Sequence, residues 1–464
     1  MTKHGLQLIV LFGLVGVVFP VQAQNPSQEA EIELLKQRVR ELEEQNRAIL
    51  KALEELQSQR RQTEGAAPKP DIPTTPAGTG SQTNTSSFRQ EPVRWGDLVT
   101  GESRLKFYGF LRLDLIADDS RPDNSQIPFF ILSEDPRVGQ KDSGAFTLHP
   151  RLTRLGLNYR GPVVDRLGHV QLGGQLELDF QNGGRESRQI IRIRHANLRL
   201  SRGAFGLLAG QTWDVISPLF PTVNNDTLMW NAGNLGDRRP QVIFSYEPAF
   251  EQGQLSVTGG IGLTGAVDAL DLDNNGFRDG EESARPHVQL RLGAARNSWV
   301  KGQRVSIGIW GHRGFERTSR PIAGRTEFRS QSLGLDYTLP LHERVGVRGE
   351  AWFGRNLSDM RGGIGQGINT VTGSAIRSRG GWIEASIKVH SIFTLHPGFT
   401  IDDPRDEDIP LQGRTRNRAI WIANRFALGG GFLIGADYLR WITDYKGLQR
   451  GADHRFNLFL QYSF

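Results

Sequence analysis

Residues 105–115 read LKFYGFLRLDL, and their order carries a period of two. Leu105, Phe107, Gly109, Leu111, Leu113 and Leu115 fall on one face of an extended chain, and Lys106, Tyr108, Arg112 and Asp114 on the other, because successive side chains of a strand point to opposite sides. A helix would scatter the same residues around its circumference. The pattern returns in VQLGGQLELDF (170–180), where Val170, Leu172, Gly174, Leu176, Leu178 and Phe180 oppose Gln171, Gln175, Glu177 and Asp179. It returns again in the last eleven residues, HRFNLFLQYSF, where His454, Phe456, Leu458, Leu460, Tyr462 and Phe464 alternate with Arg455, Asn457, Gln461 and Ser463. Strands of about ten residues, apolar on one face and charged on the other, are what a transmembrane β-barrel requires.

Working outward from these segments, the chain offers 16 such candidates, near 105–116, 146–159, 169–180, 189–200, 205–212, 241–247, 255–263, 286–295, 303–312, 329–339, 344–354, 380–390, 394–402, 416–426, 431–442 and 453–464. Their connections alternate in length. Long ones at 117–145, 213–240, 264–285, 313–328, 355–379 and 403–415 are separated by short ones at 201–204, 297–302, 340–343, 391–393 and 427–430, and 181–188 is modest. Long outer loops and short periplasmic turns follow this rhythm. Closure leaves no unpaired strand edge in hydrocarbon. The expected fold is an all-β transmembrane barrel of 16 antiparallel strands over 97–464, with an N-terminal periplasmic α-helical coiled coil.

Composition agrees. Only 37% of the 464 residues are hydrophobic, while Gly reaches 55 and Phe 24, a bias toward bent, aromatic-rich strands. The one long apolar run, Leu6 to Pro20, excludes a polytopic helical membrane protein. With no cysteine there is no thiol nucleophile, disulfide or thiolate metal site. Lys and Arg total 56 against 50 Asp and Glu, and nine of the 56 are Lys. The Arg residues lie dispersed with acids between them, which is not the dense basic footprint of nucleic-acid binding.

Residues 1–23 (MTKHG, LQLIVLFGLVGVVFP, VQA) read as a signal peptide, too short for a membrane anchor. In 24–64, Ile32, Leu35, Val39, Leu42, Asn46, Ile49, Leu53 and Leu56 step by alternating three and four, the seam of a coiled coil whose Asn46 pins the register; the competing reading is a solvated single helix. Residues 65–96 are a Pro/Gly/Ser/Thr-rich linker. The barrel would sit in the bacterial outer membrane, with the coiled coil in the periplasm.

The charged faces must line the lumen. Candidate pore-lining residues are Lys106, Arg112, Arg154, Arg192, Arg194, Arg199, Arg291, Arg344, Arg348 and Arg455, with Asp114, Glu177, Asp179 and Glu350 as counter-charges. Some of these arginines would instead brace the wall. Parity breaks within IIRIRHANLRL, so a bulge is expected there.

The segment DLDNNGFRDGEE (271–282) places Asp271, Asp273, Asn275, the Phe277 carbonyl, Asp279 and Glu282 at positions 1, 3, 5, 7, 9 and 12 of a calcium loop, with Gly276 at the turn. Its flanks are strands rather than helices, and acidic turns also arise from selection for solubility. Ca2+ is therefore an expectation for an outer loop. Enzymatic activity is not expected: His149, His195, His287, His312 and His396 are scattered, and HExxH, GxSxG and P-loop motifs are absent.

The order of signal, coiled coil, linker, YGFLRLD (108–114), RHANLRL (194–200) and LLAGQTW (207–213) resembles the DcaP-like trimeric outer-membrane porins, with the phosphate-selective porins next. The resemblance covers nearly the whole chain and implies a homotrimer of 16-stranded barrels passing small anions, dicarboxylates among them. Arg194, His195, Gln211 and Trp213 are the positions that match its motifs. In 16-stranded porins the third outer loop folds inward, which would make Trp213, Asp214, Asp237, Arg238 and Arg239 a constriction; the alternative is an outward loop in a subunit contact. Phe464 resembles the terminal aromatic read by the barrel-assembly machinery. The expected function is a passive diffusion porin preferring small anions. The competing readings are a phosphate- or sugar-selective porin and a structural barrel with a tethering coiled coil.

Overall fold

The computed structural model describes residues 97–464 except 101–102, 140–142, 182–189 and 224–227. The expected signal peptide, coiled coil and linker lie outside the described residues. Sixteen strands form the barrel: β1 (Ser103–Asp118), β2 (Arg154–Val164), β3 (Val170–Asp179), β4 (Arg192–Arg202), β5 (Phe205–Trp213), β6 (Arg238–Tyr246), β7 (Gly253–Gly262), β8 (His287–Asn297), β9 (Arg304–Ile322), β10 (Arg325–His342), β11 (Val345–Arg355), β12 (Arg377–Lys388), β13 (Phe393–Pro404), β14 (Arg414–Gly429), β15 (Phe432–Tyr445) and β16 (Leu448–Ser463). Each pairs antiparallel with its neighbours in the chain, and β1 pairs with β16 from Phe110↔Ser463 to Asp118↔Arg455, so the sheet closes. Gly109 and Phe464 exchange backbone hydrogen bonds of 3.2 and 3.1 Å at the seam.

The period of two becomes an inside and an outside. On β1, Leu111 is 55% exposed while Asp114, three residues on, is fully buried. The same division places Leu290 and Leu292 of β8, Ile307 and Ile309 of β9, Ile420 and Ile422 of β14 and Leu458 and Leu460 of β16 on the exterior. An exposed apolar belt of this extent is what a lipid environment accommodates and water does not.

Much of the glycine content has a packing reason. Inward aromatic rings lie across the glycine paired with them on the neighbouring strand: Tyr108 over Gly156, Trp310 over Gly334, Trp352 over Gly380, Trp421 over Gly398 and Phe459 over Gly435. A Cβ at any of these glycines would overlap the ring. The rings thereby shield bare backbone and fix the register.

Three local expectations are corrected. The fifth outer connection is not a long loop over 313–328: β9 and β10 continue to a turn at Ala323 and Gly324, both at positive φ (46° and 80°). Above the hydrocarbon neither face need be apolar, so ERTSRPI and RTEFRS lose the alternation while remaining paired. The second strand does not run over 146–159. Ala145–His149 pairs with the outer part of β1, a turn follows at 150–153, and β2 pairs with the inner part of β1. Arg344 lies in the two-residue turn between β10 and β11, away from the lumen wall.

Candidate functional site: an arginine-lined lumen beside the third outer loop

The third outer loop (214–237) begins at a closed base. Asp214 donates its N–H to the Asp237 carbonyl at 2.8 Å, and the Asp214 carboxylate accepts the Asp237 N–H at 3.0 Å. From β6, Arg239 reaches Asp214 at 2.6 Å and Asp359 of the sixth outer loop at 2.7 Å, all three buried. Beyond the base, the loop backbone is held by inward side chains of distant strands. Gln289 on β8 accepts the N–H groups of Val215 and Ile216, Glu350 on β11 that of Leu219 at 2.8 Å, and Glu384 on β12 that of Thr222 at 2.7 Å. On the return, Trp352 donates to the Gly233 carbonyl at 2.7 Å and Asn417 on β14 to that of Asn231 at 2.8 Å. Strands that lie far from β5 and β6 around the barrel can meet one loop only through the interior. The loop therefore crosses the lumen.

Apolar packing completes the attachment. Val223, Met229 and Ala232 pack with Ile131 of the first outer loop against Trp382, Trp421 and Trp441 of the wall. Ile216 and Leu235 pack with Leu357 and Met360 against Trp310 and Trp352. This loop-to-wall layer is the protein's hydrophobic core.

The loop leaves a pocket of about 240 Å3 between Pro221, Thr222, Val223 and Leu228 on its side and Arg112, Arg154, Arg194 and Arg425 on the wall. None of the residues described as lining this pocket is an acid. The acids stand behind the guanidinium groups. Arg112 pairs with Asp114 at 2.9 Å, Arg194 with Glu177 at 2.7 Å and Asp179 at 3.0 Å, Arg154 with Glu177 at 3.5 Å, and Arg425 with Asp437. Aromatic faces support the same groups: Arg112 lies 3.8 Å and Arg425 5.1 Å from the Phe459 centroid, and Arg154 lies 5.0 Å from that of Phe110. A guanidinium held by a carboxylate and laid on a ring is preorganised, and Arg425 also donates to the Thr222 carbonyl, tying the loop to the wall.

The other expected pore residues divide by role. Glu177 pairs with His195 and Leu178 with Ile193, so Arg194 is the extra residue of the bulge expected in β4 and joins His195 inside. Arg192 pairs with Asp179 at 2.7 Å and lines an outer vestibule of about 510 Å3 with Asp237, Arg238, Arg361 and Asp123. Arg199 is held by Asn197 and Gln175. Arg291 with Asp336 (2.7 Å) and Arg348 with Glu384 (2.9 Å) brace the wall, and Arg455 with Asp118 (2.9 Å) lies buried under the first loop. Lys106 shares the inward parity of β1 and is exposed. Glu350 holds the loop backbone rather than balancing a pore arginine. Within the expected constriction, Asp214 and Arg239 are anchors of the loop base. Arg238 stacks on Trp213 at 4.4 Å, and Asp237 pairs with Arg361 at 2.9 Å. Arg425 was not expected. It lies within the expected strand 416–426, and its inward parity follows from Trp421 and Ala423.

Among the outer loops, burial pushes Asp123 up to about 6 against the N–H groups of Phe129 and Phe130, and burial together with the nearby Asp359 charge pushes Asp268 up to about 6. In the fourth outer loop, one carboxylate oxygen from each of Asp271, Asp273 and Asp279 lies within 4.8 Å of the others. Asn275 donates to Glu282 at 3.0 Å, and the Phe277 side chain is exposed. Asp279 opens a single helical turn, α1 (Asp279–Glu282). Of the histidines, His287 and His312 meet edge to face at 5.2 Å, and His312 bonds Ser330 and Ser332.

No family model matches the chain, and no curated protein matches it. Solved structures do. The outer membrane channel DcaP of Acinetobacter baumannii superposes with a TM-score of 0.60 at 17% identity, over 79% of this chain and 99% of that one. The anion-selective porin of Comamonas acidovorans gives 0.51 at 13% identity, over 78% and 100%. OmpF of Salmonella typhi, in complex with daunomycin, gives 0.50 at 11% identity, over 79% and 100%. The chain is thus similar to DcaP and to these porins, and at such identities what they share is the closed-barrel fold.

Proposed function

We propose that the protein is a passive outer-membrane channel that prefers small anions, dicarboxylates among them, and works as a homotrimer joined below the membrane by its coiled coil. The observation that carries this reading is the pocket in which Arg112, Arg154, Arg194 and Arg425 face the third loop with no acid among its lining residues. Each guanidinium keeps part of its positive field because its partner acid stands behind it. A dicarboxylate shedding water in so narrow a space regains hydrogen bonds from Arg forks. The partner acids keep the site from becoming a trap, since conduction needs exit as well as entry.

The apolar exterior and the aromatic Phe464 at the β1–β16 seam support an outer-membrane location and assembly by the barrel-assembly machinery. The anion selectivity of the Comamonas porin, a neighbour in fold, supports the same preference. A second reading, a structural barrel with a plugged pore, is favoured by the dense packing of the third loop against Trp382, Trp421 and Trp441. Single-channel recording in a planar bilayer separates them. The channel reading expects chloride current that succinate reduces from either side; folded, inserted barrels without unitary steps support the plug.

A further inference from the structure

We propose that the fourth outer loop is a calcium site, with Asp271, Asp273 and Asp279 as its ligands, and that the bound ion clamps this loop onto the outer extension of β9. The three carboxylate oxygens lie within 4.8 Å of one another. Calcium–oxygen bonds of about 2.3–2.6 Å allow ligands on opposite sides of one ion to stand about 5 Å apart. The oxygens are therefore spaced for a single ion between them.

Hydrogen bonding points the same way. Asp273 accepts the Arg320 N–H of β9 at 2.7 Å through Oδ2, and Asp279 accepts the Leu272 N–H at 3.1 Å through Oδ2. The Oδ1 atoms of both residues are buried with no hydrogen-bond partner. Asp279 is fully buried and Asp273 is 8% exposed. A buried carboxylate oxygen without a partner is costly, and here two belong to residues of one three-acid cluster.

Some buried acids face guanidinium groups, as Asp118 faces Arg455 and Asp214 faces Arg239, and others are met by backbone N–H and hydroxyl donors on both oxygens, as Glu350 and Asp402 are. Among the described residues, Asp271, Asp273 and Asp279 have no Arg or Lys ion-pair partner, and the charge of Glu282 also bears on Asp279. A hard divalent cation supplies the missing positive charge and the missing partners at once. Glu282, which accepts from Ser319 of β9 at 2.7 Å, ties the end of the loop to the same strand.

The test uses the full-length protein folded in detergent free of lipopolysaccharide, stripped with EGTA and titrated with CaCl2 by calorimetry and by thermal melting. The parent is expected to bind one ion per chain with a Kd of about 0.1–1 mM, the range of extracellular sites, and to melt higher with calcium than in EGTA. Asp273→Asn/Asp279→Asn is expected to lose both responses and, in EGTA, to melt no lower than the parent, because it removes two uncompensated charges. Should that pair fail to fold, Asp271→Asn alone is expected to weaken binding at least about tenfold, since affinity follows ligand charge. A parent with neither binding heat nor a melting shift overturns the site, as does an equal response in parent and variant.

Discussion

Glu350, midway along β11, accepts the backbone N–H of Leu219 at 2.8 Å, so a carboxylate of the barrel wall holds a loop that starts at the end of β5. Ser217 donates to the same carboxylate, and Glu384 on β12 takes Thr222 in the same way. The opening of the lumen is thus set by wall acids bonded to loop backbone.

Glu350→Ala removes this tether. A hydrogen bond contributes about 0.5–1.5 kcal/mol net, and the loop loses two of them. Single-channel conductance is expected to rise, with noisier open levels; an unchanged unit conductance in correctly folded barrels would show that Glu350 does not hold the loop.

The aromatic–glycine pairs predict a stability effect that depends on the partner. Gly398→Ala puts a Cβ into the Trp421 ring, and overpacking of this kind costs about 1–3 kcal/mol. The variant should melt lower than the parent in detergent. In a Trp421→Leu background, which itself melts lower because it leaves a cavity, the same Gly398→Ala change should cost little, whereas equal melting of parent and Gly398→Ala would show that the ring yields freely.

Burial of Asp123 and Asp268 gives the outer loops an acid preference. Both carboxyls are raised to about 6, against about 3.9 in an unfolded chain. A raised carboxyl contributes stability in full below the unfolded value and loses it as pH rises through the folded one. Asp268→Asn should therefore melt higher than the parent at pH 7.5, and the gain should shrink as pH falls through 6 toward 4. A gain that is constant over this range would place the effect elsewhere.

Most of the barrel was legible because each strand within the hydrocarbon must separate its faces, and Leu111, Leu113 and Asp114 declare them residue by residue. The β9–β10 hairpin was not. Beyond the membrane Glu316, Thr318 and Ser330 are buried beside polar neighbours, so pairing continues without an alternation to read. The site was legible as composition and parity: Arg112, Arg154 and Arg194 follow from position. Arg425 has the same inward parity within the expected strand 416–426, but only the path of the third loop brings it beside Thr222. The loop anchors were beyond reach, since Glu350 and Asp336 look alike in sequence and only the tertiary path of residues 214–237 gives one a backbone N–H and the other Arg291.

In the proposed channel Arg112, Arg154, Arg194 and Arg425 would set the charge preference of the lumen. The zero-current potential across a tenfold KCl gradient in a planar bilayer tests it most directly, for the parent and for Arg425→Ala/Asp437→Ala, a pair chosen because removing the arginine alone would strand a buried acid at a cost of about 3–5 kcal/mol. The parent is expected to show a chloride-preferring sign, and the variant a potential of the same sign but smaller size. A cation-preferring parent would contradict it.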